Sequence, residues 1–275
     1  MDHAIFYAEL RKRGSGVFGT RFSQGQVDGM ENLLDVWFRL FAEGGTLQEL
    51  AYDLATAYHE TAATMQPITE RGRRSYFDKY EPGTRLGKRL GNTRPGDGYR
   101  FRGEGHVQNT GRANAAKATR RINELFGLGI DLVADPSKRG DPFVSAVSLF
   151  LGNREGWWTT KRLGQYIKPG STDYWNARRV VNGTDAASKI KGHAQAFERA
   201  LLAAGYDRRA RVAEKAAGKA VERVSPPQAT DTAAAPQTAP AARSGGVARI
   251  LKRALFVALL LGLLWIAFGN LGGQP

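Results

Sequence analysis

Residues 254–273 read ALFVALLLGLLWIAFGNLGG, twenty in succession without a charge. As a helix rising about 1.5 Å per residue, such a run reaches about 30 Å, the depth of a bilayer's hydrocarbon core. Arg249, Lys252 and Arg253 stand just before it and no charge follows. The positive-inside rule then predicts a single-pass tail, with the bulk of the chain on the cytoplasmic side of the membrane. The run is therefore expected to be membrane-inserted rather than a buried core helix. The opening residues, MDHAIFYAEL, lack the basic start and apolar run of a cleaved secretory signal, so none is expected.

Composition changes twice along the chain. Residues 247–275 hold the apolar run, and residues 208–246 form an Ala-, Pro- and Thr-rich stretch ending VSPPQATDTAAAPQTAPAARSGG. That composition buries too little apolar area to fold, and it is expected to act as a linker, with a basic helix over 208–224. Residues 1–207 remain as one domain of a size that supports a proper core. The net charge is +14, of which residues 208–275 carry 10 Lys/Arg against 3 Asp/Glu. Such a balance suits nucleic acid, anionic lipid or an anionic wall polymer, and does not choose among them. The basic residues form no recognised nucleic-acid module, so nucleic acid is not expected as a partner. With no Cys, and four His in no ligand-like spacing, disulfides, thiol catalysis, a metal centre and any other cofactor are not expected either.

Within 1–207 the periodicity predicts a mainly α, α+β domain. Apolar residues recur at helical spacing over 31–41 (ENLLDVWFRLF). Thr46-Leu47-Gln48-Glu49 is a capping-box pattern, and Leu47, Leu50, Leu54 and Tyr58 then form one stripe. Asp141-Pro142 predicts the cap and first turn of a helix over 143–151, while Asn182-Gly183, Thr184 and Ala204-Gly205 mark the ends of later helices. Residues 71–110, rich in Gly, Arg and Tyr, read as loops with a short hairpin.

The chemistry centres on Ala57-Tyr58-His59-Glu60-Thr61. Glu60 falls at the flank of the apolar stripe, where a carboxyl beside apolar groups can serve as a general acid. Its neighbour His59 is expected to bond near it rather than to act as a base. Further on come Tyr80-Glu81-Pro82-Gly83, then 99–114 (YRFRGEGHVQNTGRAN), and 175–183 (WNARRVVNG). Together, and in this order, these segments resemble the glycoside hydrolase family 19 chitinases, and more closely the phage and prophage endolysins of that lysozyme-like group. The resemblance covers roughly residues 5–205.

It implies a two-lobed, lysozyme-like helical fold with a saccharide cleft. Glu60 stands where the family has its general acid, and Glu81 where it has the base that activates water, which implies inversion. The carboxyls of an inverting pair lie about 6.5–9.5 Å apart. Gln108, Thr110, Asn114 and Asn182 match positions that hold the sugar or the water. Glu104 replaces the second Arg of the family's Arg-Gly-Arg-Gly motif, His106 and Asn109 stand at usually aromatic or apolar positions, and Ala115 where Tyr is usual. Because the second acid varies in the endolysin branch, Glu70, Asp78 and Glu104 remain candidates beside Glu81.

The implied function is hydrolysis of β-1,4 bonds in peptidoglycan, or in a chitin-type glycan, by a membrane-tethered lytic enzyme. Two other readings stand beside it: a wall-binding protein with impaired catalysis, and a lysis factor permeabilising membranes through the tail. Trp157 and Trp158 are expected to pack in the core rather than to stack sugars. Tyr76, Phe77 and Tyr80 read equally as packing or cleft lining, and the arginines at 71–74 and 85–89 as solvated loop charge.

Overall fold

A computed structural model describes residues 1–206. The 208–246 linker and the 254–273 run lie outside the described residues. Among the described residues, no helix is long and apolar enough to cross a membrane.

Two helices form the centre. Helix α3 (Leu47–Glu60) is buried from Leu47 through Ala57 apart from Gln48 and Glu49. Helix α7 (Pro142–Glu155) is buried from Val144 to Asn153. An element apolar on every side is stable only when wrapped by others. Helix α9 (Ala187–Ala203) runs along α3, α1 (His3–Leu10) lies on α9, and α2 (Gln24–Leu40) packs on α7. Phe6, Leu33, Trp37, Leu50, Phe150 and Phe197 fill this core. A second, smaller cluster of Phe77, Tyr80 and Leu90, flanked by Leu86 and Tyr99, organises the segment expected to be loops. That segment holds a 3-10 turn (Arg74–Tyr80) and the short helices α4 (Arg85–Arg89) and α5 (Asp97–Arg100). The short hairpin expected there is the reversal in which Glu104 bridges Asn109; β2 (Glu104–Gly105) also pairs antiparallel with β1 (Ile68–Thr69), just before the segment, with Ile68 opposite Gly105. A mainly helical domain is what the periodicity predicts, whereas the separate minor cluster falls in the segment read there as loops.

The capping box at Thr46 and Glu49 forms in both directions. Helix α7 starts where Asp141 caps it and ends at Gly156, which takes the left-handed conformation, so it is longer than the 143–151 expected. Helix α2 begins seven residues before Glu31, at a capping box made by Ser23 and Gln26. Its first turns are polar and contain Gly25 and Gly29, which hides the helical period. Gly29 is needed for packing, because a Cβ there would lie 2.1 Å from the Met65 carbonyl oxygen. Thr184 does not open the following helix: α9 starts after Ala186, at φ 52°, with no side-chain cap.

Asp53, fully buried on α3, accepts from Asn153 Nδ2 at 2.7 Å, and Asn153 Oδ1 accepts from Trp158 Nε1 at 2.9 Å. Burial pushes the Asp53 carboxyl well up, against the opposing pull of Asn153. The Trp157 indole donates to Glu155 at 2.8 Å, and both tryptophans are buried. The pair packs the core, as expected. Helices α6 (Arg112–Phe126) and α8 (Tyr174–Ala177), and a second two-stranded pairing of β3 (Ile167–Lys168) with β4 (Ser171–Thr172), complete the described chain.

Candidate active site

Glu60 is the last residue of α3. Immediately beyond it the chain turns through Ala62, Ala63 and Met65, all at positive φ (50°, 65° and 59°). Non-glycine residues hold this conformation only where their surroundings enforce it. Here Thr61 Oγ1 donates to the Ala57 carbonyl at 2.7 Å and accepts from Met65 N at 3.0 Å, and Gln26 Nε2 donates to the Ala63 carbonyl at 2.9 Å. The turn sets where the Glu60 carboxylate points. Glu60 Oε1 accepts from Arg178 Nη1 at 2.5 Å, and its side chain keeps 20% of its surface exposed. No described residue donates to Oε2.

Arg178 is buried and also donates to Asp185, to Oδ2 at 3.2 Å and to the carbonyl at 3.2 Å. Burial pulls its guanidinium down, but Glu60 and Asp185 outweigh that and leave it above its ordinary value. Asn182 follows on the same segment, its N–H donating to the Arg178 carbonyl at 3.0 Å. His59 is half-buried. Desolvation lowers its pKa, with Glu60 opposing.

A second cluster forms where β1 meets β2. Glu70 Oε2 accepts from Gly103 N at 3.0 Å, and Oε1 from the Tyr80 hydroxyl at 3.2 Å. Gln108, at φ 51°, donates from Nε2 to the Ile68 carbonyl at 2.9 Å. Thr110 donates to the Gln108 carbonyl and Asn114 to the Thr110 carbonyl, each at 2.8 Å. With their donors committed to backbone, Gln108, Thr110 and Asn114 keep acceptor oxygens in reserve. Gly103 lies at the middle: a Cβ there would sit 2.7 Å from Gln108 Oε1 and 3.2 Å from Thr110 Oγ1. The structure thus brings together Glu70, Gln108, Thr110 and Asn114, and separately Glu60 and Arg178, while Asn182 Oδ1 accepts from Gly183 N at 2.9 Å.

Glu81 is placed differently. Its Oε2 accepts from Gly96 N at 2.7 Å and its Oε1 from Gly98 N at 3.1 Å, capping the start of α5. A carboxylate there satisfies orphan donors and the helix dipole together. Asp78 is exposed on the 3-10 turn. Glu104 is buried on β2, 3.6 Å from Arg139, and its pKa is raised by desolvation, opposed by Arg139 and Arg102. Ala115 is buried in α6.

His106 ties the two clusters' backbones together. Its N–H donates to Ser145 Oγ at 2.8 Å, its Nδ1 meets the same oxygen at 2.6 Å, and its Nε2 reaches the Met65 carbonyl at 3.2 Å. A carbonyl only accepts, so Nε2 carries the proton and Nδ1 accepts from the Ser145 hydroxyl. Burial pushes this imidazole down to about 4 from 6.5. A folded-state value below the unfolded one stabilises the protein above pH 6.5, and that contribution is lost as pH falls toward 4. The loss is on the order of 3 kcal/mol. Thermal melts at pH 7 and pH 4.5 are expected to show a smaller pH-dependent drop for His106→Gln than for the wild type. Equal drops would remove His106 from the acid sensitivity.

No family model and no curated protein sequence matches this chain. Among solved structures, a crystal structure of a chitinase C mutant is similar. The two are 16% identical, with 74% of this chain and 75% of that one covered, at a TM-score of 0.40. At that level of similarity, what the site does is decided by its own geometry. Arg178 and Asp185 were not singled out in the sequence. The only signal was an arginine set among Ala177, Val180 and Val181, where a buried cation needs a buried or half-buried acid.

Proposed function

We propose that residues 1–207 form a glycoside hydrolase that cuts β-1,4 bonds in peptidoglycan, with Glu60 as general acid and Glu70 as general base. One observation carries this reading. Two partly exposed carboxylates lie ten residues apart in the chain, on either side of the braced turn and β1, the first held through a single oxygen and the second bonded to Gly103 N, beside which lie Gln108 and Thr110. In this mechanism Glu60 Oε2 gives its proton to the glycosidic oxygen, and the carboxylate that forms stays paired with Arg178. Water, losing a proton to Glu70, attacks the anomeric carbon from the opposite face as the C–O bond breaks, giving an inverted hemiacetal. Gln108, Thr110, Asn114 and Asn182 offer acceptors to sugar hydroxyls and N-acetyl groups. Glu81 is left out because both of its oxygens accept from backbone N–H groups at the start of α5, whereas one oxygen of Glu70 accepts only from the Tyr80 hydroxyl.

Peptidoglycan is preferred to chitin because the sequence resembles the endolysin branch more closely. The test is turbidity loss of purified peptidoglycan, wild type beside Glu60→Gln, with mass analysis of the fragments. A second reading has one observation in its favour: Glu60 pairs with a permanently charged arginine, as a purely structural carboxylate would. That wall-binding module would retain peptidoglycan without clearing it.

The tail completes the proposal. Residues 254–273 hold the enzyme at the bilayer, and the preceding 39 residues (208–246) provide a reach of about 30–40 Å. Deleting 247–275 is expected to move the protein from the membrane fraction to the supernatant on ultracentrifugation. Continued pelleting with membranes would remove the anchor from the proposal.

A further inference from the structure

Arg102 and Glu104, which flank Gly103 in the sequence, both line a cavity of about 500 Å³, together with Arg74, Arg94, Tyr99 and Arg100. Its charges do not cancel. Asp97, also in the wall, is held by Arg112 at 2.6 Å; burial would push its carboxyl up, but Arg112 and the N–H groups of Arg94 and Thr93 hold it at about 2. Glu104 faces Arg139. Asp135, exposed at the rim, is held by Ser137 and drawn on by Lys138, which leaves four lining arginines without an acid of their own. None of those four makes an ion pair with an acid among the described residues. Arg100 donates to the carbonyls of Val133 and Ala134, and Arg102 to that of Tyr99. Arg74 and Arg102 lie over the Tyr99 ring, at 4.9 and 4.3 Å. Unpaired guanidinium groups around a concave wall select a carboxylate or a phosphate.

The second observation is Glu104, whose residue is 7% exposed. Its expected partner is engaged elsewhere. Arg139 donates to the carbonyls of Pro136, Arg102, Asn109 and Arg100, so it offers Glu104 charge but no hydrogen bond. The Glu104 carboxylate therefore has no hydrogen-bond donor among the described residues: its Oε2 is enclosed against Arg139, 3.6 Å away, and Oε1 is the oxygen left accessible on the cavity wall. A buried acceptor without a donor is costly. Beside four arginines it calls for a ligand that brings an N–H next to its own negative charge. A bare anion offers no such donor.

We propose that this cavity binds the C-terminal residue of a peptide, the arginines taking its carboxylate and Glu104 its amide N–H. The proposal rests on the hydrolase reading above and sharpens it. A glycan carrying peptides with free carboxylates would be held one residue along β2 from Gly103, and a glycan without peptides would not. It also gives a role to the acid that stands where the family resemblance implies arginine.

The test uses the full-length chain in mild detergent and calorimetric titration with three probes: N-acetyl-dialanine, its C-terminal amide, and inorganic phosphate. The free acid is expected to bind at least tenfold more tightly than the amide and more tightly than phosphate. Arg74→Glu/Arg94→Glu, at two exposed positions, is expected to weaken the acid at least tenfold. Glu104→Gln is expected to weaken the acid several-fold and leave phosphate unchanged. Acid and amide binding within twofold, no binding of the acid, or phosphate binding as tightly as the acid would each overturn the proposal.

Turnover separates this from the hydrolase reading. The double arginine variant should clear peptidoglycan at least tenfold more slowly and cut a peptide-free N-acetylglucosamine oligomer at the wild-type rate. If it is unimpaired on both while Glu60→Gln is inactive, the pocket falls and the hydrolase stands. If the wild type cuts neither but still prefers the acid to the amide, the hydrolase falls and the pocket stands.

Discussion

Glu60→Gln is expected to slow glycan hydrolysis by about a thousandfold while the protein still melts cooperatively. Loss of a positioned general acid costs roughly 10²–10⁴ in rate, and a thousandfold corresponds to about 4 kcal/mol of barrier. Gln keeps the shape and leaves an oxygen to accept from Arg178 Nη1, so the contact at the end of α3 survives in weaker form. Arg178 retains Asp185 as its counter-ion. Weakening a hydrogen bond to a charged group costs about 1.5–3 kcal/mol, a drop of several degrees in Tm for a domain this size. The measurement is clearing of purified peptidoglycan at matched fractions folded. Equal clearing by both proteins would take Glu60 out of the chemistry. Retention of peptidoglycan by both with clearing by neither would favour the wall-binding module.

The second expected result divides two carboxylates by the kind of damage their loss does. Glu70→Gln should lower the hydrolysis rate by about a hundredfold or more, with little change in Tm, because Gln can keep its oxygen on Gly103 N and turn its amide to the Tyr80 hydroxyl, which can accept. Glu81→Gln should do the reverse. Its new amide group would point N–H donors at the N–H of Gly96 or Gly98, leaving one end of α5 unsatisfied. Loss of such a cap costs about 0.5–2 kcal/mol, with no direct effect on the chemical step. Paired measurements of Tm and initial rate decide it. A Glu81→Gln protein with wild-type Tm and no activity, beside an active Glu70→Gln protein, would return the base to Glu81.

Part of this arrangement was legible in the sequence because it is local. The capping box at Thr46 and the Asp141-Pro142 start are satisfied within three residues, and the stripe on α3 follows from helical geometry alone. The position of Glu60 at a helix end and the burial of Trp157 and Trp158 were within reach for the same reason. The apolar run at 254–273 and the linker before it are read from composition.

What only the tertiary structure decided depends on partners far apart in the chain. Arg178 meets Glu60 across 118 residues, and nothing in the spacing of either segment specifies that pairing. Glu81 becomes a helix cap only because residues 15 and 17 further on fold back over it. Glu70 acquires its neighbours through β2, 33 residues away. Glu104 looks like a surface charge in sequence, yet lies buried beside an arginine whose donors are taken by four carbonyls. A carboxylate's role is set by which donors reach it and how much water remains. Local sequence specifies helices and turns, whereas those donors arrive only when distant segments pack together.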